Sequence, residues 1–238
     1  MSVAELIASV DAAANPADAA ILARYFKTGP GEYGEGDLFA GVKLSTLRVL
    51  VKPYLRAGLP LPDLEKALAS PVHEHRQAVL VVLADRALRA DPAELAAIYE
   101  LYLRNTTCID NWDLVDVSAP EIVGGYLLDK PRTVLRELVV SSNLWERRIA
   151  LVATHRFIRA GESADTYELA ALVLDDKQDL IHKASGWMLR EAGKRVDQDE
   201  LLAFLDEYAA RMPRTMLRYA IERLPADVRK HYLTQRRR

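Results

Sequence analysis

A basic residue followed two places later by a small one returns along this chain at a nearly constant interval. The pairs are Arg76 with Ala78, Arg148 with Ala150, Lys183 with Ser185, and Arg218 with Ala220. Lys183 lies 35 residues beyond Arg148, and Arg218 lies 35 beyond Lys183. Arg76 and Arg148 are 72 apart, two steps of 36, and the middle step falls on Trp112. A period in this range marks stacked helix pairs, each too small to bury its own apolar face. Equivalent positions of successive repeats then line up along one surface. That row reads Arg76, Trp112, Arg148, Lys183, Arg218, and one helical turn further on Leu80, Asp116, Val152, Trp187, Glu222. Basic residues, two tryptophans and a carboxylate on one face describe a site better than a core.

Composition narrows the partners. A hydrophobic fraction of 50% and a charged fraction of 28% are those of a soluble globular chain. The longest apolar stretches, such as Ala78–Ala84, are far too short to span a bilayer, so no membrane is expected. Met1–Val10 carries Glu5 and no basic residue, unlike a secretory signal. Cys108 stands alone, which excludes an internal disulfide and fits a reducing cytoplasm, the expected location. The net charge of −2 rules out the bulk basicity of a nonspecific nucleic-acid binder. Charge is denser after residue 100, with 22 Lys and Arg against 21 Asp and Glu, and the chain ends in Arg236, Arg237 and Arg238. Any nucleic-acid role must come from cations gathered on one surface.

Nearly every segment carries helical periodicity with helical punctuation. Asp91 before Pro92 predicts an N-cap opening a helix to about Arg104. Ile149, Val152, Ala153 and Phe157 form a helical stripe in Leu144–Ile158, and Leu180–Ala192 repeats it through Ile181, Ala184, Met188 and Leu189. Asp197–Ala209, Thr215–Leu224 and a last helix from Pro225 continue the pattern. Pro60, Pro62, Pro71, Pro120, Pro131 and Pro213 fall between periodic segments, where breakers belong. No alternating run argues for a sheet. The expected fold is all-α.

One segment interrupts the regularity. Lys27–Val42 contains Gly29, Pro30, Gly31, Gly34, Gly36 and Gly41, and predicts a long connection with a short hairpin. Gly29, Gly31 and Gly34 match G-x-G-x-x-G formally. A dinucleotide cradle needs a strand before it, whereas Ala19–Phe26 has helical character, and Glu32, Glu35 and Asp37 would repel a pyrophosphate.

Trp112 and Asp116 are four apart and share a helix face. Taken alone they fit a core tryptophan beside a solvated or capping aspartate; the repeat register adds Arg148, Lys183 and Trp187 on neighbouring units. Arg148 precedes an apolar run and is suited to a phosphate contact, or to a salt bridge with Glu146 or Asp116. Gly186 inside a helix costs about 1 kcal/mol relative to alanine. Placed beside Trp187, it points to close approach by another helix or by a ligand. His73 and His75 flank Glu74 but cannot share a helix face, and no His or Cys cluster has metal-ligand spacing, so neither metal nor cofactor is expected.

At these residues the chain resembles the DNA alkylation repair proteins built from HEAT-like repeats, the AlkD-like glycosylase superfamily. The matching segments are Asn111-Trp112-Asp113-Leu114-Val115-Asp116, Asn143-Leu144-Trp145-Glu146-Arg147-Arg148 and Lys183-Ala184-Ser185-Gly186-Trp187-Met188-Leu189-Arg190-Glu191. The likeness runs from about Tyr25 through Leu224. It implies a single domain over 1–238, an α-solenoid of HEAT-like repeats with a concave DNA-binding face, acting as a monomer on double-stranded DNA. It also implies a glycosylase that removes positively charged N3- or N7-alkylated purines. Two tryptophans, an aspartate and an arginine form the active surface in such enzymes. They carry over onto Trp112, Trp187, Asp116 and Arg148, and the repeat row adds Lys183, Arg218 and Arg76 as further expected DNA contacts. The glycine-rich segment is similar to a branch with a hairpin-bearing loop, for which the alternative is non-catalytic binding of branched or damaged DNA.

Overall fold

Helix after helix begins on a residue that can satisfy its first amide groups. In the computed structural model, which describes residues 1–235, Ser2 and Glu5 close a capping box on α1 (Val3–Ala12). Asn15 caps α2 (Pro16–Tyr25), and Asp91 caps α6 (Pro92–Arg104) as its sequence predicts. Between them lie α3 (Leu44–Val51), α4 (Leu61–Leu68) and α5 (His73–Ala87), and α7 (Trp112–Ala119) follows. The tail Arg236–Arg238 lies outside the described residues. No β-strand occurs among the described residues, only one isolated parallel bridge between Leu38 and Val72.

The chain divides into two compact units, Met1–Ile122 and Val123–Arg238. In the first, α5 is the hub and packs against α1, α3, α4, α6 and α7. That explains why α5 lacks a polar face: His73, Glu74, His75, Arg76 and Gln77 are all buried beside Val79, Leu80 and Leu83. Buried polar groups must find partners, and these five do so across long sequence separations.

The second unit displays the repeat directly. After α8 (Gly125–Leu127) and α9 (Thr133–Val139), the helices α10 (Leu144–Arg159), α12 (Asp179–Arg195) and α14 (Arg214–Ala220) begin 35 residues apart. Arg148, Lys183 and Arg218 each occupy the fifth position of their helix. The helices that follow each of these, α11 (Ala164–Leu172), α13 (Gln198–Tyr208) and α15 (Ala226–Thr234), supply Ala170, Leu201, Phe204, Leu205 and Tyr232 to the core built on Leu189, Met216 and Leu217. Gly186 lets α12 and α14 touch. A Cβ there would lie 2.4 Å from the Met216 carbonyl oxygen and 2.6 Å from Tyr219 Cβ. The sequence left helix or ligand open at Gly186, and a helix occupies the space.

Two expectations change. Pro120 does not separate helices: α7 runs into a π-helical turn, Pro120–Gly124, and on into α8. Proline has no N–H to return to the Asp116 carbonyl, and widening the turn is the usual accommodation. The glycine-rich segment forms successive turns instead of a paired hairpin. Glu32 N–H donates to Gly29 O, Gly34 N–H to Lys27 O and Asp37 N–H to Gly34 O. Gly41, at φ 85°, passes so close to the start of α2 that a Cβ would sit 2.0 Å from Asn15 O. No single helix is long and apolar enough to cross a membrane.

Candidate functional site

Helix α7 is held near both of its ends. Asn111 caps it through Trp112 N–H at 2.9 Å, and the fully buried Tyr102 meets Ser118 Oγ at 2.9 Å on its inner side. Trp112 and Asp116, both half-buried, face a cleft of about 450 Å³ in the first unit. Aromatic faces line it. Trp112 stacks on Phe26 at 5.2 Å between centroids, Phe26 on Phe39 at 5.1 Å, and Phe39 on His73 at 4.5 Å. Tyr25, exposed, meets the edge of Trp112 at 6.1 Å. Lys43 and Arg48 also border the cleft, and both are exposed. An apolar, ring-lined hollow with a carboxylate and two cations can take a flat or cationic group and the phosphates beside it.

Behind the rings lies a charged network. His73 Nδ1 is 2.7 Å from Asp37 Oδ2 and His73 Nε2 is 2.9 Å from Asp113 Oδ2. Burial by itself would lower the His73 pKa; the two carboxylates outweigh it and raise it to about 9. Burial likewise acts to raise Asp37, but His73 and Arg76 hold its carboxyl below the ordinary carboxylate value. Gln77 Nε2 donates to Asp113 as well. Glu74 accepts from the backbone N–H groups of Ala40, Gly41 and Val42 at 2.8–3.0 Å. His75 pairs with Asp11 at 2.8 Å. The glycine-rich segment is therefore stapled to α5 at both Asp37 and Ala40–Val42, and through His73 to α7. The His-Glu-His run carries no chemistry in the sequence pattern because, apart from Ser70 beside His75, its partners lie 32 to 64 residues away.

Of the expected basic row, two members are engaged inside the protein. Arg76 is 5% exposed; its Nη2 lies 2.8 Å from Asp37 and 2.9 Å from Asp110, and its Nη1 donates to Ser70 O. Arg148 is 4% exposed and donates Nη1 to Leu180 O at 2.7 Å, bracing α10 against the start of α12. Arg76 and Arg148, expected as phosphate contacts, are thus both buried with internal partners. Lys183 is partly exposed and pairs with Asp179 at 2.8 Å, while Arg218 is exposed. Trp187, half-buried, lies 5.8 Å from the His155 ring and packs on Ile158, Met188 and Ala192. The structure thus brings Trp112 and Asp116 together in the first unit, and sets Arg148, Lys183, Trp187 and Arg218 on successive repeats of the second. Lys43 and Arg48 were missed because they precede the repeats, where no register points to them.

Repeating helix pairs define an α-helical repeat protein, and the ring-lined cleft of its first unit is a candidate binding site. The model of the DNA alkylation repair enzyme family matches residues 6–224, and the chain belongs to that family. Its fold is similar to that of a solved structure titled "Predicted DNA alkylation repair enzyme from Enterococcus faecalis". That likeness has a TM-score of 0.69 at 18% identity, covering 90% of this chain and 97% of the other. No curated protein matches the chain.

Proposed function

We propose that this DNA repair protein is a glycosylase that releases N3- or N7-alkylated purines from duplex DNA. The observation that carries the proposal is the pairing of Trp112 and Asp116 on one face of α7, at the edge of the aromatic cleft. An alkylated purine of this kind bears a positive charge, so the glycosidic bond is weakened and the base leaves without being protonated. What remains is to stabilise an oxocarbenium-like sugar and to aim a water at its anomeric carbon. A carboxylate does both. In the proposed step the C1′–N bond breaks with its electron pair going to the base, which departs neutral. A water oxygen bonds C1′, and its proton passes to Asp116 and on to solvent. The face of Trp112 would favour the developing cation and pack on the deoxyribose, and Trp187 offers the DNA backbone a further ring on the second unit. Lys183 and Arg218, with Lys43 and Arg48, are exposed or partly exposed cations suited to backbone phosphates. The protein would act as a monomer in the cytoplasm and need no cofactor.

The test is purified protein incubated with methylated duplex DNA, with released bases identified. Release of 3-methyladenine or 7-methylguanine supports the proposal. Tight binding of branched DNA with no base released would favour the non-catalytic alternative. The stapled, acid-tipped loop carrying Glu32 and Glu35 is the feature that would serve it.

A further inference from the structure

A groove of about 320 Å³ opens in the second unit where the end of α12, the start of α13 and the end of α14 meet. Three cationic side chains border it: Arg190, Lys194 and Arg223. Arg190 is 17% exposed in its side chain. Its Nη1 pairs with Glu222 and its Nη2 lies 3.3 Å from Glu191, a carboxylate shared with Arg195 at 2.8 Å. Its Nε is buried with no hydrogen-bond partner, although the groove it borders is polar and open. Lys194 and Arg223 are exposed and make no ion pair among the described residues. Gln198 adds an amide from the first turn of α13. The groove therefore holds two uncompensated cations and one orphaned donor, a set that fits an anion.

Position along α12 says which anion. Lys183, Trp187, Arg190 and Lys194 stand at i, i+4, i+7 and i+11 and share one stripe of the helix. At 1.5 Å per residue, Lys194 lies about 16 Å along the axis from Lys183. The B-DNA major groove is about 12 Å wide between backbone surfaces. Adding the two phosphate radii puts its flanking phosphorus atoms roughly 17 Å apart. One row of cations at Lys183 and Arg218 and a second at Lys194 and Arg223 thus match the two backbones of a duplex, with Trp187 between them.

We propose that the Arg190–Lys194–Arg223 groove is a second phosphate subsite, taking the DNA strand that lies across the groove from the strand held by Lys183 and Arg218. This rests on the DNA-binding part of the proposed function. The experiment compares the double variants Lys194→Ala/Arg223→Ala and Lys183→Ala/Arg218→Ala with the unaltered chain. Affinity is measured for a duplex and for a single strand of equal length, as a function of salt. All four side chains are exposed or partly exposed, so both variants should fold, which circular dichroism checks. Loss of two phosphate contacts should lower the slope of log affinity against log salt for duplex by about two. Duplex affinity should fall by tens of fold near 0.1 M salt in both variants, and single-strand affinity by less than threefold in Lys194→Ala/Arg223→Ala. An unchanged duplex slope in Lys194→Ala/Arg223→Ala, with a reduced slope in Lys183→Ala/Arg218→Ala, would overturn the subsite and leave DNA binding in place. Equal losses for duplex and single strand would overturn its strand assignment. No change in either variant would remove the second unit from DNA binding altogether.

Discussion

His73 ties stability of the first unit to pH, and the size of the effect follows from its surroundings. The ring is 1% exposed, lies between Asp37 and Asp113, and stacks on Phe39; Arg76 holds Asp37 from the other side. Its pKa rises from 6.5 to about 9. The native state therefore holds a proton that the unfolded chain gives up near pH 6.5. Below pH 6.5 both states are protonated and the full stabilisation is present. It declines as pH rises from there, and above about pH 9 it is gone. At 1.36 kcal/mol per pKa unit the total is on the order of 3 kcal/mol. The assay is urea unfolding of the full chain between pH 6 and 9.5, followed by Trp112 fluorescence with Trp145 and Trp187 replaced by phenylalanine. His73→Gln, which cannot carry the charge, serves as the reference. The gap between parent and His73→Gln should shrink by about 3 kcal/mol across that range. A gap constant with pH would mean that His73 is neutral in the native protein, and the network would have to be redrawn.

Other substitutions test separate parts of the structure. Gly186→Ala should cost about 1–3 kcal/mol, because the new Cβ meets backbone and Cβ atoms of α14 that cannot turn aside; thermal melting of the second unit measures it. Arg76→Ala should destabilise the first unit by about 3–5 kcal/mol, since it leaves Asp37 buried with one cation fewer. A duplex-binding loss larger than this unfolding explains would restore Arg76 as a DNA contact. Replacing Gly31–Gly36 by a short flexible linker should leave the fold intact, because the anchors at Asp37 and Ala40–Val42 remain. It should shift preference between linear and branched DNA, and equal loss for both would deny the loop a discriminating role.

The second unit was the more legible half. Its 35-residue interval survives as the starts of α10, α12 and α14, because each helix pair with its connections takes up the same length of chain. In the first unit the register slips. Arg76 is the fourth residue of α5 while Trp112 is the first of α7, and a 3₁₀ turn at Thr106–Cys108 intervenes. Periodicity placed Trp112 and Asp116 on one face correctly. It could not show that Arg76 is neutralised, since Asp37 and Asp110 lie 39 and 34 residues away. The hairpin expected of Lys27–Val42 failed for a related reason. Glycine spacing reports turns, whereas Glu74 and His73, residues outside the segment, decide how those turns are held.

The central claim is that Asp116 acts on the sugar cation, and one measurement on Asp116→Asn bears on it directly. Base release from methylated duplex DNA, duplex affinity and thermal stability are taken on the same preparation. The substitution keeps the shape of the side chain and removes only the charge that acts in the transition state. Excision should fall by orders of magnitude while affinity and melting temperature stay close to those of the parent. Full excision by well-folded Asp116→Asn protein would contradict the claim.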